Sequence, residues 1–299
     1  MQLPLGELAA LGAAAVWAVG TVIFAHAGRN VPALALNLVK GVLALPLIVI
    51  AALILPTQWG QPSFEALLLF GVSGALGIGV GDTCYFAALR RIGATRTALL
   101  FMASTPIAVL LSTFALGEPI NVFAILGIAL TIAGILWVIA ERATATDAQA
   151  SRKLVAVGIT FGLAAAALQA VGLILNRQAF NLATDTSEAW ATVLRLACGC
   201  AALALVLSLL NNKPLADARR WPWKLIVIGM VLGTFTGLLL QQFSVKHAVN
   251  AGIAQTLLNT TPLFVLPIAP LIGERVSRRA VLGAIVAMAG VSVLLWSVT

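Results

Sequence analysis

Apolar residues do not alternate with polar ones along this chain; they come in long runs. Ten runs, at roughly 8–26, 33–55, 66–88, 97–116, 121–140, 153–176, 188–210, 223–243, 251–272 and 280–298, each approach the length of about 20 residues that a helix needs to cross hydrocarbon. Polar residues collect in the gaps between them. The longest gaps, ERATATDAQASRK (141–153) and NNKPLADARRWPWK (211–224), are too short for a soluble domain. The pattern predicts an all-α membrane protein with ten transmembrane helices.

The runs also repeat. TPIAVLLSTFALGE (105–118) returns as TPLFVLPIAPLIGE (261–274), with six of fourteen positions identical at an offset of 156 residues. At the same offset Gly77 and Gly81 match Gly233 and Gly237, Gly127 and Gly134 match Gly283 and Gly290, and LRR (89–91) matches VKH (245–247). At a slightly shorter offset Gly20 falls on Gly172, Trp17 on Gln169 and Lys40 on Arg195. A pattern recurring at half-length marks a duplicated unit. The halves are read as 1–140 and 153–299, joined by a linker at 141–152 on the cytoplasmic side. Five spans per half is odd, so the second half enters the membrane from the opposite face. That makes two inverted five-helix repeats, an architecture that places a site where the halves meet near the bilayer midplane.

Composition strengthens the membrane reading and removes others. Apolar residues make up 61% and charged residues only 9%, against about 25% charged in soluble domains. The net charge of +8 does not point to nucleic acid, because the basic residues sit singly or in short clusters between apolar runs, with no basic face. Fourteen of the eighteen Lys and Arg fall in loops on one side, against only Arg177 and Lys246 on the other. Positive-inside then places both termini outside. The first run follows Glu7 rather than a basic segment and is read as a span, not a cleaved signal. Cys84, Cys198 and Cys200 lie inside apolar runs and suggest neither a disulfide nor a metal site. No cofactor is expected.

Two features interrupt the runs. Pro106 and Pro262 lie mid-span at matching positions. Each removes an N–H and is expected to kink its helix, freeing the carbonyls of Met102 and Leu258; paired interruptions of this kind point to a transport site and to hinges. Gly117-Glu118 is expected to close its span, with Pro119 opening the next. The glycine series GVSGALGIGVG (71–81) and GMVLGTFTG (229–237) carry small residues at four-residue spacing, the pattern of close helix packing in lipid.

Polar groups at membrane depth are costly and normally face a cavity or a partner. Trp17, Ser104 and Asn259 fall near the midplane, beside Thr105, Thr260 and Thr261. Gln169, Gln241 and Gln255 fall somewhat outward. Amides, a hydroxyl and an indole suit a neutral or zwitterionic solute; the alternative is helix–helix hydrogen bonding, worth about 0.6 kcal/mol each. Lys40 and Asp82 each lie about 10–12 Å from the cytoplasmic edge by helical rise, so a salt bridge between them is expected. It would serve as a staple, an inner gate or a proton site, with Tyr85 one turn away. Arg195 is expected to snorkel outward, toward Glu188.

The two stretches AALRRIGATRTALLFMASTPIAVLLSTFALGE (87–118) and VKHAVNAGIAQTLLNTTPLFVLPIAPLIGE (245–274) resemble the repeats of the drug/metabolite transporter superfamily, and of its EamA family in particular. The resemblance covers nearly the whole chain; the basic residue of span 2 is Lys40 here, where the family more often has Arg. It implies a bacterial inner-membrane exporter of amino acids, aromatic ones included, or of other small metabolites, working as a monomer or weak homodimer. It transfers no substrate residue by motif. Only His26 and His247 are present, with no HExxH, nucleophile elbow or P-loop, so a membrane enzyme is disfavoured. A channel or an importer of a small polar solute remains open.

Overall fold

The computed structural model describes residues 5–29, 31–55, 59–116, 121–139, 148–209, 218–248, 251–274 and 276–298. These residues form helices and no strand. In chain order they are α1 (Leu5–Ala27), α2 (Ala33–Ile54), α3 (Phe64–Ser73), α4 (Asp82–Phe101), α5 (Ser104–Leu116), α6 (Val122–Ile139), α7 (Ala148–Leu182), α8 (Glu188–Leu209), α9 (Trp223–Gly229), α10 (Gly237–His247), α11 (Ala251–Leu258), α12 (Thr261–Ile268) and α13 (Arg278–Val298). Several begin at a polar residue that satisfies their first free amides. Ser63 accepts from Ala66, Asn121 from Ala124, Ser187 from Trp190 and Ser277 from Ala280.

Among the described residues, seven helical stretches are long and apolar enough to cross a membrane. One of them, Phe64–Leu111, runs for 48 residues and contains the third and much of the fourth sequence run. It is broken twice. At Gly93 the backbone turns to φ 80° and ψ 176°, a left-handed conformation that a side chain would strain. At Met102–Ala103 it opens into a turn before α5. The linker expected at 141–152 is shorter than its sequence suggests, because α7 already begins at Ala148 and runs for 35 residues; residues 141–147 lie outside the described residues. So does the Gly117-Glu118-Pro119 corner. The molecule's outside is apolar: Phe64, Phe114 and Leu271 are each more than four-fifths exposed, as lipid-facing residues should be.

Two π-helical segments, Gly74–Gly81 between α3 and α4 and Met230–Thr236 between α9 and α10, stand at the 156-residue offset. Such widened turns are uncommon and often mark functional positions. The glycines explain why they are tolerated. A side chain at Gly74 would run into the backbone of Arg195, and a Cβ at Gly20 would lie 2.9 Å from the Cα of Gly233.

The close approaches are reciprocal. Gly20 meets Gly233, and Gly172, the counterpart of Gly20, meets Gly77, the counterpart of Gly233. Along the pair α6 and α13, Gly134 faces Ala287 and the Gly283 carbonyl, while Gly290 faces Thr131 and the Gly127 carbonyl. Residue i against j and j′ against i′ is what a two-fold relation between two copies of one unit produces.

Candidate functional site

A cavity of about 750 Å³, open solvent at its mouth included, lies among α1, α2, α4, α7, α8, α10, α12 and the two π segments. Both halves line it. The first supplies Trp17, Thr21, Lys40, Asp82 and Tyr85, and the second Gln169, Arg195, Leu238 and Gln241. Phe24, Phe86 and Phe101 give it an aromatic wall, with Phe24 and Phe86 edge to face at 5.2 Å. Of the neutral polar groups expected from sequence, Thr261 lines this space with its hydroxyl taken by the Leu258 carbonyl, and three more share it: Trp17, Gln169 and Gln241. None of the three makes a side-chain hydrogen bond to another described residue, so their N–H and C=O groups are unspent at the cavity wall. Buried polar groups are normally paired, and pairing by a solute or by water is what their position permits.

The charges are arranged unequally. Lys40 Nζ sits 2.7 Å from Asp82 Oδ2 and 5.3 Å from the centre of the Phe86 ring. The Lys40 side chain is 5% exposed, whereas the Asp82 side chain is 32% exposed, toward the cavity. Tyr85 does not join the pair: its hydroxyl bonds to Thr21 Oγ1 at 2.9 Å and its ring packs edge-on to Phe101. It ties α1 to α4 across the cavity wall instead.

Arg195 does not snorkel outward, and Glu188 is not its partner. Glu188 takes Lys246 at 3.2 Å and His247 at 2.6 Å. Arg195 is 2% exposed. Its Nε donates to Ser73 Oγ (3.0 Å) and its Nη1 to Gln242 Oε1 (2.6 Å), while Gln242 is itself clasped by Asn176. The Ser73 hydroxyl donates in turn to the Gly172 carbonyl at 2.7 Å. The sequence signal that could have found this was its alignment with Lys40, since both lie seven residues into their helices, some 10 Å from the end.

Ser104, Gln255 and Asn259 are brought together, but outside the cavity wall. Asn259 Nδ2 donates to Ser104 Oγ (2.9 Å) and to Thr105 Oγ1, and Gln255 Nε2 donates to Ser104 Oγ (2.9 Å). All four residues are buried. This node joins the break before α5 to the break between α11 and α12. Both prolines lie just beyond these breaks, and the carbonyls they free do not face a solvent cavity. Met102 oxygen accepts from the Thr105 amide at 3.1 Å and from Asn259 Nδ2 at 3.4 Å. Leu258 oxygen accepts from Thr261 Oγ1 at 2.7 Å. The chain is therefore broken and re-satisfied at each proline rather than smoothly bent, as broken helices at membrane depth require.

The Gly-Glu ending of the second half has a use that spacing alone did not give. Gly273 adopts φ 81° and closes the 3₁₀ turn after α12. Glu274 then reaches the first half, accepting from the Ala94 amide (2.5 Å), the Thr95 amide (3.1 Å) and Thr95 Oγ1 (3.0 Å). Those amides begin the helical stretch after Gly93, so the carboxylate caps it and offsets its dipole.

Comparison with known proteins follows the same two-part pattern. The model of the EamA-like transporter family matches residues 4–140 and 156–296. The fold is shared with solved structures, of which 26 chains match. One, described only as "Crystal structure of protein", superposes with a TM-score of 0.71 over 98% of this chain and 97% of that one, at 16% identity. No curated protein matches. Helices of spanning length with an apolar outer surface make the chain an integral membrane protein. With nearly all of its length matched, the chain belongs to the EamA-like transporter family, whose members are transporters and not enzymes.

Proposed function

We propose that the protein is a secondary transporter that exports small metabolites, amino acids foremost, across the bacterial inner membrane by alternating access. It does so with ten spans in two inverted halves, 1–140 and 153–299, with both termini outside. The observation that carries this reading is the two-sided lining of the cavity. Trp17 faces Gln169 in the alignment of the halves, and Lys40 faces Arg195; all four meet in one space. A site built from corresponding positions of two halves is what rocking of one half against the other needs. The unspent indole and amides supply neutral donors and acceptors, and the aromatic wall suits an apolar side chain.

In this reading the Lys40–Asp82 pair is a staple or inner gate beside the solute. Pro106 and Pro262 are matched hinges, and the Ser104–Gln255–Asn259 node is the pin between them rather than a substrate contact. Reconstitution into liposomes tests the whole. Uptake across a panel of amino acids, with and without a pH gradient, should saturate and should show counter-transport. Flux that rises linearly with concentration and shows no exchange would replace the carrier with a channel.

A further inference from the structure

The two halves treat their buried cations differently. In the first half Lys40 has its carboxylate, Asp82, on the span packed beside it. In the second half the position matching Asp82, at the 156-residue offset, is Leu238. Leu238 lines the same cavity and packs in one apolar cluster with Leu196, the neighbour of Arg195. No carboxylate among the described residues lies within ion-pair distance of Arg195, which is nevertheless 2% exposed. Its Nε and Nη1 are pinned by neutral oxygens of Ser73 and Gln242. Its Nη2 is left without a partner among the described residues. A side chain in place of Gly77 would come within 3.7 Å of that nitrogen and 3.8 Å of Gln169 Oε1, so the glycine keeps open the space between them.

Asp82, held by Lys40, acts on Arg195 only through space across the cavity they share, and a buried guanidinium without a carboxylate in contact is expensive. Here the surrounding hydrogen bonds hold it in position instead of neutralising it. We propose that Arg195 is an anion subsite and that the solute supplies the carboxylate which Leu238 omits. This deepens the transport reading and rests on it for the word solute. The carboxylate accepts from Arg195 Nη2 near Gly77, within reach of Gln169. Lys40 is already satisfied, so it leaves one net positive charge for the solute to meet. The site thus selects solutes with one carboxylate over their amides, and over cations.

The smallest probes that isolate this chemistry are acetate and its neutral isostere acetamide, with chloride as the non-carboxylate anion, all at equal ionic strength. Ligand-dependent thermal stabilisation of the purified full chain in lipid nanodiscs reads binding. Acetate should stabilise the protein, and acetamide and chloride should not. Arg195→Gln should weaken acetate by about tenfold or more, the worth of one charge-assisted hydrogen bond. Because that change also orphans Ser73 and Gln242, Leu238→Asp is the companion variant. It restores the missing ion pair, leaves the pinning bonds intact, and should abolish acetate binding while the unliganded protein stays as stable as before. Equal stabilisation by acetamide or chloride, or undiminished acetate binding in Leu238→Asp, overturns the proposal. The two readings fail separately. Arg195-dependent acetate binding without saturable amino-acid flux upholds the subsite and sinks transport of amino acids. Saturable flux that is equal for leucine and leucinamide sinks the subsite and leaves transport standing.

Discussion

Replacing Asp82 with asparagine should damage the protein more than replacing its partner Lys40 with methionine, and the reason lies in how the pair is buried. Lys40 is enclosed, at 5% exposure, while Asp82 keeps 32% of its side chain open to the cavity. Removing one member of a buried pair costs about 3–5 kcal/mol, because an uncompensated charge is left behind. In Asp82→Asn the stranded charge is the enclosed ammonium, eased by the amide oxygen that remains, so the low end, about 3 kcal/mol, applies. In Lys40→Met the stranded charge is a carboxylate with access to cavity water, and the screened cost falls to about 1 kcal/mol. The double variant leaves no stranded charge and should lie within about 1 kcal/mol of the parent. The singles add to about 4 kcal/mol, so the cycle predicts a coupling of about 3 kcal/mol. Equilibrium unfolding in mixed micelles measures all four corners. Additivity within about 0.5 kcal/mol, or a Lys40→Met loss larger than that of Asp82→Asn, would refute the reasoning. The same variants speak to coupling: loss of pH-driven flux with exchange intact in Asp82→Asn would favour a proton site over a staple.

Glu274→Ala should cost about 1–2 kcal/mol by uncapping the helix after Gly93, and hydrogen exchange at the Ala94 and Thr95 amides should quicken; unchanged exchange would show the cap to be incidental. Pro106→Ala and Pro262→Ala should both fold, alanine being a good helix former, and should shift the accessibility of single cysteines placed toward the inner and outer membrane faces in opposite directions with reduced flux. No change in either would reduce the prolines to packing features. A cysteine at residue 2 or 299 should react with an impermeant maleimide in intact cells, and one at residue 147 should not; the reverse pattern would invert the proposed orientation.

Much of this architecture was legible because lipid imposes simple rules. Long apolar runs can only be helices, and glycines recurring from one half to the other marked the places where backbones touch, as Gly20 and Gly233 do. Depth arithmetic alone brought Lys40 to Asp82. The same arithmetic misplaced Arg195, since a basic residue two turns from a helix end can reach either water or a buried clasp. Only the positions of Ser73 and Gln242 decide which. Polar residues at one depth are likewise indistinguishable by sequence: Gln241 lines the cavity, whereas Gln255 turns to Ser104. The π segments were invisible because a widened turn leaves the apolar pattern intact. The break at Gly93 falls in the gap read between the third and fourth runs, but the hold of Glu274 on the amide next to it joins residues 180 apart, beyond the reach of any local pattern.

The node between the two broken helices has a consequence for how the gene could be divided. Its amides, Gln255 and Asn259, come from the second half alone; the aligned positions in the first half are Leu99 and Ala103. Two identical first halves could not build it, since hydroxyls would meet aliphatic groups, whereas the second half also keeps hydroxyls, Thr260 and Thr261, at the positions of Ser104 and Thr105. The first half therefore lacks the amides that this node needs. The halves have specialised as donor and recipient. A split gene should yield a functional complex when both distinct fragments are expressed together, and a second copy of the first fragment should not substitute for the second.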